Sequence, residues 1–291
     1  MVGNPKRGSV LVTGTSTGIG KAAALALDKL GFTVFAGVRS EKDGQALCSE
    51  ASRNLAPVLM DVTDSTSIEK AKQQVSQLVG EAGLAGLVNN AGVGFLSPLE
   101  CVPLDDLRWV FDVNVFGLLA VTQAFLPLLR QGRGRLINVS SEGSIFVMPF
   151  HGSYSASKFA VNGLTDALRL ELKPQGIQVS LIIFGSVKTP IWDKTAQLSD
   201  RISRGCPPQL FELYKEHFRK VSDYFYRLGA NGISPEASAR SVVHALTARR
   251  PKLRYYVGPD ANLYNILDKI FYGRLRDWTL CQIIGLRGKQ S

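Results

Sequence analysis

Tyr154 and Lys158, in the run Tyr154-Ser155-Ala156-Ser157-Lys158, set a phenol and an ammonium four residues apart, a spacing that puts both on one face of a helix. Such a pair suits proton transfer. A free tyrosine titrates near ~10, so holding it partly ionised near neutrality needs a shift of about 3 units, roughly 4 kcal/mol of favourable charge interaction. An adjacent lysine supplies part of that. The same spacing also occurs as ordinary decoration of an exposed helix, so its weight depends on what the rest of the chain brings to the pair.

The elements that must position the pair are legible as an alternation. Short β-branched runs at Ser9–Thr13, Thr33–Val38, Ala56–Met60, Leu84–Val88, Arg135–Ser140 and Gln178–Phe184 read as buried strands, with helix-period segments between them. That repeat implies parallel βαβ units with right-handed crossovers, hence an α/β chain with one doubly wound parallel sheet spanning residues 1–291. From Pro190 to about Leu228 the rhythm changes to an amphipathic, aromatic-rich stretch, read as an inserted helical substrate lid over residues 190–228. A helix from Pro235 to about Ala248 and a strand near Tyr255–Val257 would complete the sheet, leaving residues 259–291 as an apolar, basic tail.

Directly after the first strand comes Thr13-Gly14-Thr15-Ser16-Thr17-Gly18-Ile19-Gly20, opening a helix with apolar Ala22, Ala23, Ala26, Leu27 and Leu30. Glycines permit the tight turn and close backbone approach, while unpaired amides at the helix start favour a pyrophosphate. Dinucleotide binding through Gly14, Ser16, Thr17, Gly18, Ile19 and Gly20 is therefore expected. The second strand ends in Val38-Arg39 rather than in the acidic residue that binds the ribose hydroxyls of NAD. Arg39 offers a planar guanidinium to the phosphate of NADP, so NADP is the preferred cofactor. Glu41 and Asp43 keep NAD open.

Together these residues resemble the short-chain dehydrogenase/reductase family over about Ser9 to Thr189. The shared signatures are the glycine loop, Asn89-Asn90-Ala91-Gly92, Asn114 within Phe111-Asp112-Val113-Asn114-Val115, and Ser140-Ser141 closing the fifth strand 13 residues before Tyr154. The resemblance implies a Rossmann-like sheet of order 3-2-1-4-5-6-7. It also implies that Tyr154 is the general acid or base, that Ser141 holds the same substrate oxygen, and that Lys158 lowers the tyrosine pKa and holds the nicotinamide ribose. Asn114 would relay protons through a water. Asp61 with Val62, and Asn90, Ala91 and Gly92, would line the adenosine side, and Gly185, Val187 and Thr189 would reach the nicotinamide. The family's usual Pro-Gly pair is replaced by Phe184-Gly185, which implies a more mobile turn there and an apolar ring near the nicotinamide.

Phe95, Met148 and Trp192, with Ser141 and Tyr154, are expected to bind substrate, and the apolar and aromatic surface they offer fits a lipophilic alcohol or ketone. The Thr-Gly-Thr-Ser start, the lid and the tail look similar to the branch acting on steroids and retinoids. Two other readings stand beside an NADP-linked alcohol/ketone oxidoreductase: an NAD-dependent enzyme for retinol-like primary alcohols or aldehydes, and a non-catalytic protein that senses the dinucleotide. No metal site is expected, since Cys48, Cys101, Cys206 and Cys281 are scattered and without histidine at metal spacing. Reduced thiols are expected. Of the +10 net charge, residues 188–291 carry most, with 18 Lys+Arg against 9 Asp+Glu; yet these cations are dispersed and no nucleic-acid module accompanies them, so no nucleic-acid partner is expected. The short polar lead Met1–Gly8 points to the cytoplasm. In the tail, Leu263, Ile266, Leu267, Ile270, Phe271, Leu275 and Trp278 recur near helical spacing between Lys269, Arg274 and Arg276. The expected role is capping the pocket or packing, with peripheral membrane contact as the alternative. By the resemblance, a homodimer or homotetramer would form through the helices around Leu104–Leu129 and Tyr154–Leu172.

Overall fold

A computed structural model describes residues 7–270 and 273–284. Its strands are β1 (Ser9–Val12), β2 (Thr33–Val38), β3 (Leu55–Leu59), β4 (Gly86–Asn89), β5 (Arg135–Ser141), β6 (Gln178–Phe184) and β7 (Arg254–Val257). All pair in parallel in the order β3-β2-β1-β4-β5-β6-β7. The order reverses between β1 and β4. Loops leaving the C-terminal ends of neighbouring strands there run to opposite sides and leave a crevice, which is where such sheets bind ligands.

Helices cover both faces because strand side chains alternate. On one face, Val10, Val12, Val34, Ala36, Val88 and Ile137 pack with α1 (Gly18–Lys29) and α9 (Pro235–Thr247), through Ala23, Leu27, Val242 and Ala245. On the other, Leu11, Phe35, Leu87, Leu136 and Val179 meet α3 (Ser65–Val79), α5 (Leu118–Gln131) and α6 (Gly152–Glu171), through Val75, Phe125, Leu129 and Leu168. The short α2 (Glu41–Cys48) connects β2 to β3, its N-terminus capped by Ser40, whose hydroxyl accepts from the Asp43 amide.

The α4 helix (Leu104–Phe111) runs into α5 through a widened π-helical stretch, Asp112–Gly117. The continuous helix Leu104–Gln131 is long and apolar enough to cross a membrane by length and composition. Its Val121, Phe125 and Leu129 are nevertheless fully buried against the sheet, as expected of a core helix. Between β6 and α9 lie two helices, α7 (Ile191–Gly205) and α8 (Pro208–Asn231), where the aromatic-rich segment begins at Pro190; α8 continues to Asn231. After β7 come α10 (Pro259–Ile270) and α11 (Arg274–Ile284). Tyr264 and Leu280 of these last helices are buried with Leu96, Phe146, Met148, Val221 and Phe225. Phe271 lies outside the described residues.

The sequence expectation of reduced thiols is overturned. Cys101 and Cys206 form a disulfide with Cα atoms 5.2 Å apart, joining the turn Leu99–Cys101 to the end of α7, whereas Cys48 and Cys281 are free. A sequence separation of 105 residues hides such a pairing from any spacing rule.

Candidate active site

One cleft runs across the C-terminal ends of β1, β2, β4, β5 and β6. At one end is the glycine loop. Gly14 adopts φ +68°, and a Cβ there would lie 2.8 Å from Ala91 Cα; a Cβ on Gly20 would lie 2.3 Å from the Gly14 carbonyl oxygen. The loop is thus pressed against the turn after β4. Asn90 holds it, its side-chain amide donating to the carbonyls of Thr13 (2.9 Å) and Gly14 (3.1 Å), while the amides of Asn90 and Ala91 donate to Thr13 Oγ1. The neighbouring Asn89 is wholly buried and instead joins Thr122 and Asn138 across the sheet.

The donor set at the loop fits a dinucleotide. Thr17, at the N-cap of α1, makes no side-chain capping bond, and the first turn holds no acidic residue, which leaves amides and a positive dipole end facing the cleft. The exposed Arg39 stands at the cleft's edge beyond β2, opposite Asp61. Burial raises the Asp61 carboxyl, but hydrogen bonds from the Thr63 amide and hydroxyl and the charge of Arg39 outweigh it and hold the group below its ordinary value. Val62, Gly92, Gly185, Val187 and Thr189 line the same cleft, as do all the other residues assigned to the cofactor from the sequence.

At the far end, Ser141 closes β5, and Tyr154 and Lys158 lie on the first turns of α6. The tyrosine ring is wedged in place: a Cβ on Gly94 would come 2.6 Å from its Cδ2, and the half-buried His151 ring stacks on it at 4.6 Å between centroids. Phe150, immediately before, sits at φ +65°, an unfavourable conformation for a bulky residue. Its carbonyl accepts from the Ser97 amide, and its ring packs edge-on to Phe218 and Tyr214 of α8. Lys158 Nζ donates to the Val139 carbonyl (3.1 Å) and stands 5.7 Å from the Tyr154 ring centroid. Ser141 donates its hydroxyl proton to Glu142 Oε2 (2.9 Å), and its Oγ accepts from the Gly143 amide (3.3 Å).

The electrostatics differ from the sequence expectation. Burial first, and then the charge of Glu142, push the Tyr154 phenol above its ordinary value, against a smaller opposing effect of the Ser141 hydrogen bond. Burial brings the Lys158 ammonium down to about 8 and His151 down to about 4. The Lys158 ammonium is itself buried and turned to a backbone carbonyl.

Asn114 sits in the π-helical stretch, where the widened turn directs its side chain at the loop after β4. Its Oδ1 accepts from the Val93 amide, and its Nδ2 donates to the Val93 carbonyl and to Ser157 Oγ, each at 2.9 Å. Both side-chain donors are therefore engaged in tying the β4 loop to α6. A Cβ on Gly92 would lie 3.4 Å from both Asn114 Oδ1 and Lys158 Nζ, so the loop passes between them.

Of the expected substrate residues, Trp192 lines the cleft, its indole donating to the Val187 carbonyl at 2.8 Å. Two do not. Phe95 is turned away, 1% exposed among Val110 and Ile202, and Leu96 lines the cleft in its place. Met148 lines a small void behind the cleft with Phe146 and Tyr264. The turn after Phe184 is pinned rather than loosened. Asp260, at the start of α10, accepts from the amides of Ser186 (2.5 Å) and Ala261 (3.0 Å) and seats against Gly185, where a Cβ would lie 1.8 Å from its Oδ1. Sequence reasoning missed Glu142 and Asp260; a carboxylate after a strand and one at a helix start are ordinary surface residues until burial is known.

Comparison with known proteins agrees with this geometry. The short chain dehydrogenase family profile matches residues 8–199. Dehydrogenase/reductase SDR family member 9 of Bos taurus is 40% identical over 260 residues, covering 88% of this chain and 81% of its own. Retinol dehydrogenase 5 of Mus musculus is 36% identical over 284 residues, covering 94% and 88%. A short chain dehydrogenase of Burkholderia cenocepacia solved in complex with NADP superposes with a TM-score of 0.69 at 25% identity, covering 95% of this chain and 97% of that one. With the glycine cradle and the Ser141, Tyr154 and Lys158 cluster falling inside the matched span, the chain belongs to the short-chain dehydrogenase/reductase family of oxidoreductases.

Proposed function

We propose that the protein moves hydride between NADP(H) and a lipophilic secondary alcohol or ketone, with Tyr154 as the general acid/base. The observation that carries this reading is the junction of the two ends of the cleft: the phosphate-type loop at one end and the Ser141–Tyr154 hydroxyls at the other share one continuous surface. When bound, the nicotinamide supplies or takes up the hydride. Ser141 and Tyr154 bind the reacting oxygen, and Tyr154 delivers the proton that completes reduction. Lys158, held by the Val139 carbonyl beside Gly92, orients the ribose.

Trp192, Leu96 and Phe225, with Tyr154 and His151, give the substrate end apolar and aromatic walls, and α7 and α8, which carry Trp192 and Phe225, act as its lid. The expected substrate is accordingly a hydrophobic carbonyl. Similarity to retinol dehydrogenase 5 favours a second reading, an NAD-linked enzyme for retinol-like primary alcohols.

Tyr154→Phe tests the chemistry. Turnover of a lipophilic ketone should fall by about 10²–10⁴-fold, the usual worth of a positioned proton donor, while NADPH affinity, read by cofactor fluorescence, stays within a few-fold. Retained turnover would remove Tyr154 from the mechanism.

A further inference from the structure

Glu142 follows Ser141 at the end of β5 and opens the turn Glu142–Ser144. Its carboxylate is buried, lines the substrate end of the cleft and accepts the Ser141 proton. Among the described residues no ion pair involves it. The groups that face it are Ser141 on β5, Tyr154 and His151 at the start of α6, and Asp260 and Tyr264 on α10. None of these is a cation at neutral pH: His151 is held neutral by burial. Burial, and then the charge of Asp260, raise the Glu142 carboxyl to about 7, against the Ser141 hydrogen bond.

A hydroxyl has one proton to donate and two lone pairs, and a ketone oxygen can only accept. With Glu142 ionised, the Ser141 proton is committed to Oε2 and Oγ can only accept, so it has nothing to offer a ketone. With Glu142 protonated, the acid donates to Oγ, the Gly143 amide fills the second lone pair, and the Ser141 proton is free for the substrate oxygen.

We propose that Glu142 is a positioning residue that sets whether Ser141 donates to the substrate carbonyl, and that its neutral form is the one competent for reduction. The proposal rests on the reading of Ser141 and Tyr154 given above. In the reducing step the carbonyl carbon gains hydride from the reduced nicotinamide and the carbonyl oxygen gains the Tyr154 proton, while Glu142 keeps the same proton before and after. Its ionised form opposes the step a second way, because a carboxylate beside the forming phenolate raises that group's proton affinity.

The test is the pH profile of kcat/KM for NADPH-driven reduction of a lipophilic ketone in the wild type and in Glu142→Gln. The carboxamide donates to Ser141 Oγ at every pH. Wild-type kcat/KM should fall by about tenfold or more from pH 6 to pH 8.5, whereas Glu142→Gln should hold its low-pH value across that range with NADPH affinity unchanged. An identical limb in both proteins overturns the proposal and places the titration on another group. Infrared difference spectra supply a readout independent of turnover: a protonated-carboxyl band at pH 6 should vanish in Glu142→Gln, and its absence from the wild type overturns the proposal even if no ketone is reduced. Failure of the underlying reading has a different signature, namely full activity in Tyr154→Phe.

Discussion

Arg39 stands exposed where β2 meets the cleft, facing Asp61 across the adenosine end. Its charge and bidentate fork match a phosphate ester better than the neutral hydroxyls of a bare ribose diol. Arg39→Asp should therefore lower the NADPH over NADH ratio of kcat/KM by at least tenfold, the worth of about 1.4 kcal/mol, with a larger change where the new carboxylate repels the phosphate outright. Steady-state kinetics with both cofactors check this, and an unaltered ratio sinks the NADP preference. Arg39 was legible from sequence because a strand end fixes its location. The orientation of Phe95 and Met148 was not. Both lie in loops without periodicity, where nothing in the order of residues says which side faces the cleft, and Phe95 found its place only once α7 brought Ile202 against it. Glu142 shows the converse: adjacent to a recognised serine, it is buried because α10 folds back over it, a contact made more than a hundred residues downstream.

The strands and first helices were readable because a buried parallel strand must be apolar on both faces and a helix on one, so Thr33–Val38 and Gln178–Phe184 have the bounds expected of them. Elements whose conformation depends on a partner were not. The π-helical stretch around Asn114 is such a case, since Gly117 fits only because its Cα passes within reach of the Val62 carbonyl, where a Cβ would lie 2.7 Å away. The disulfide is another. It fastens the C-terminal end of α7 to the turn that precedes α4, so one of the two helices between β6 and α9 is covalently anchored at its end. Closing a loop of about 100 residues is worth roughly 3–5 kcal/mol in chain entropy, or a Tm change of roughly 5–8 °C in a chain of this size. Thiol titration under denaturing, non-reducing conditions should accordingly find two reactive cysteines, Cys48 and Cys281. Cys101→Ser with Cys206→Ser should melt lower by that margin and lose the sensitivity of the melt to reductant. Four free thiols, or a melt indifferent to both changes, would remove the covalent anchor.

At the scale of the whole molecule, and among the described residues, some exposed large apolar side chains are scattered singly and others fall into two groups. Leu104, Trp109 and Phe116 on α4 and the π-helical stretch, with Phe159 and Leu170 on α6, form one; Leu263, Ile266, Ile270, Leu275 and Trp278 on α10 and α11 form the other. Of the tail, Tyr264 and Leu280 pack with Leu96 and Phe225 of the cleft wall, with Tyr264 stacked on Phe146 at 5.0 Å, while exposed apolar residues of the same helices lie beside Lys269 and Arg274. Isolated exposed leucines need no explanation, but two aromatic rings, Phe116 at 60% and Phe159 at 45% exposure on adjacent helices, are surface that a monomer gains nothing by leaving in water. The homodimer or homotetramer expected from the sequence would use that helix face. A stable two-fold contact buries about 800 Å² per partner around a few aromatic anchors, and burying like charges there costs several kcal/mol. Phe116→Glu combined with Phe159→Glu should therefore shift the mass measured by light scattering from a dimer or larger species to the monomer at micromolar concentration. Circular dichroism should stay unchanged, since neither ring belongs to the core. Trp278→Ser, on the tail, should leave the mass as it was. An oligomer that survives the double substitution, or one that dissociates on changing Trp278 instead, would move the interface off α4 and α6 and onto the tail.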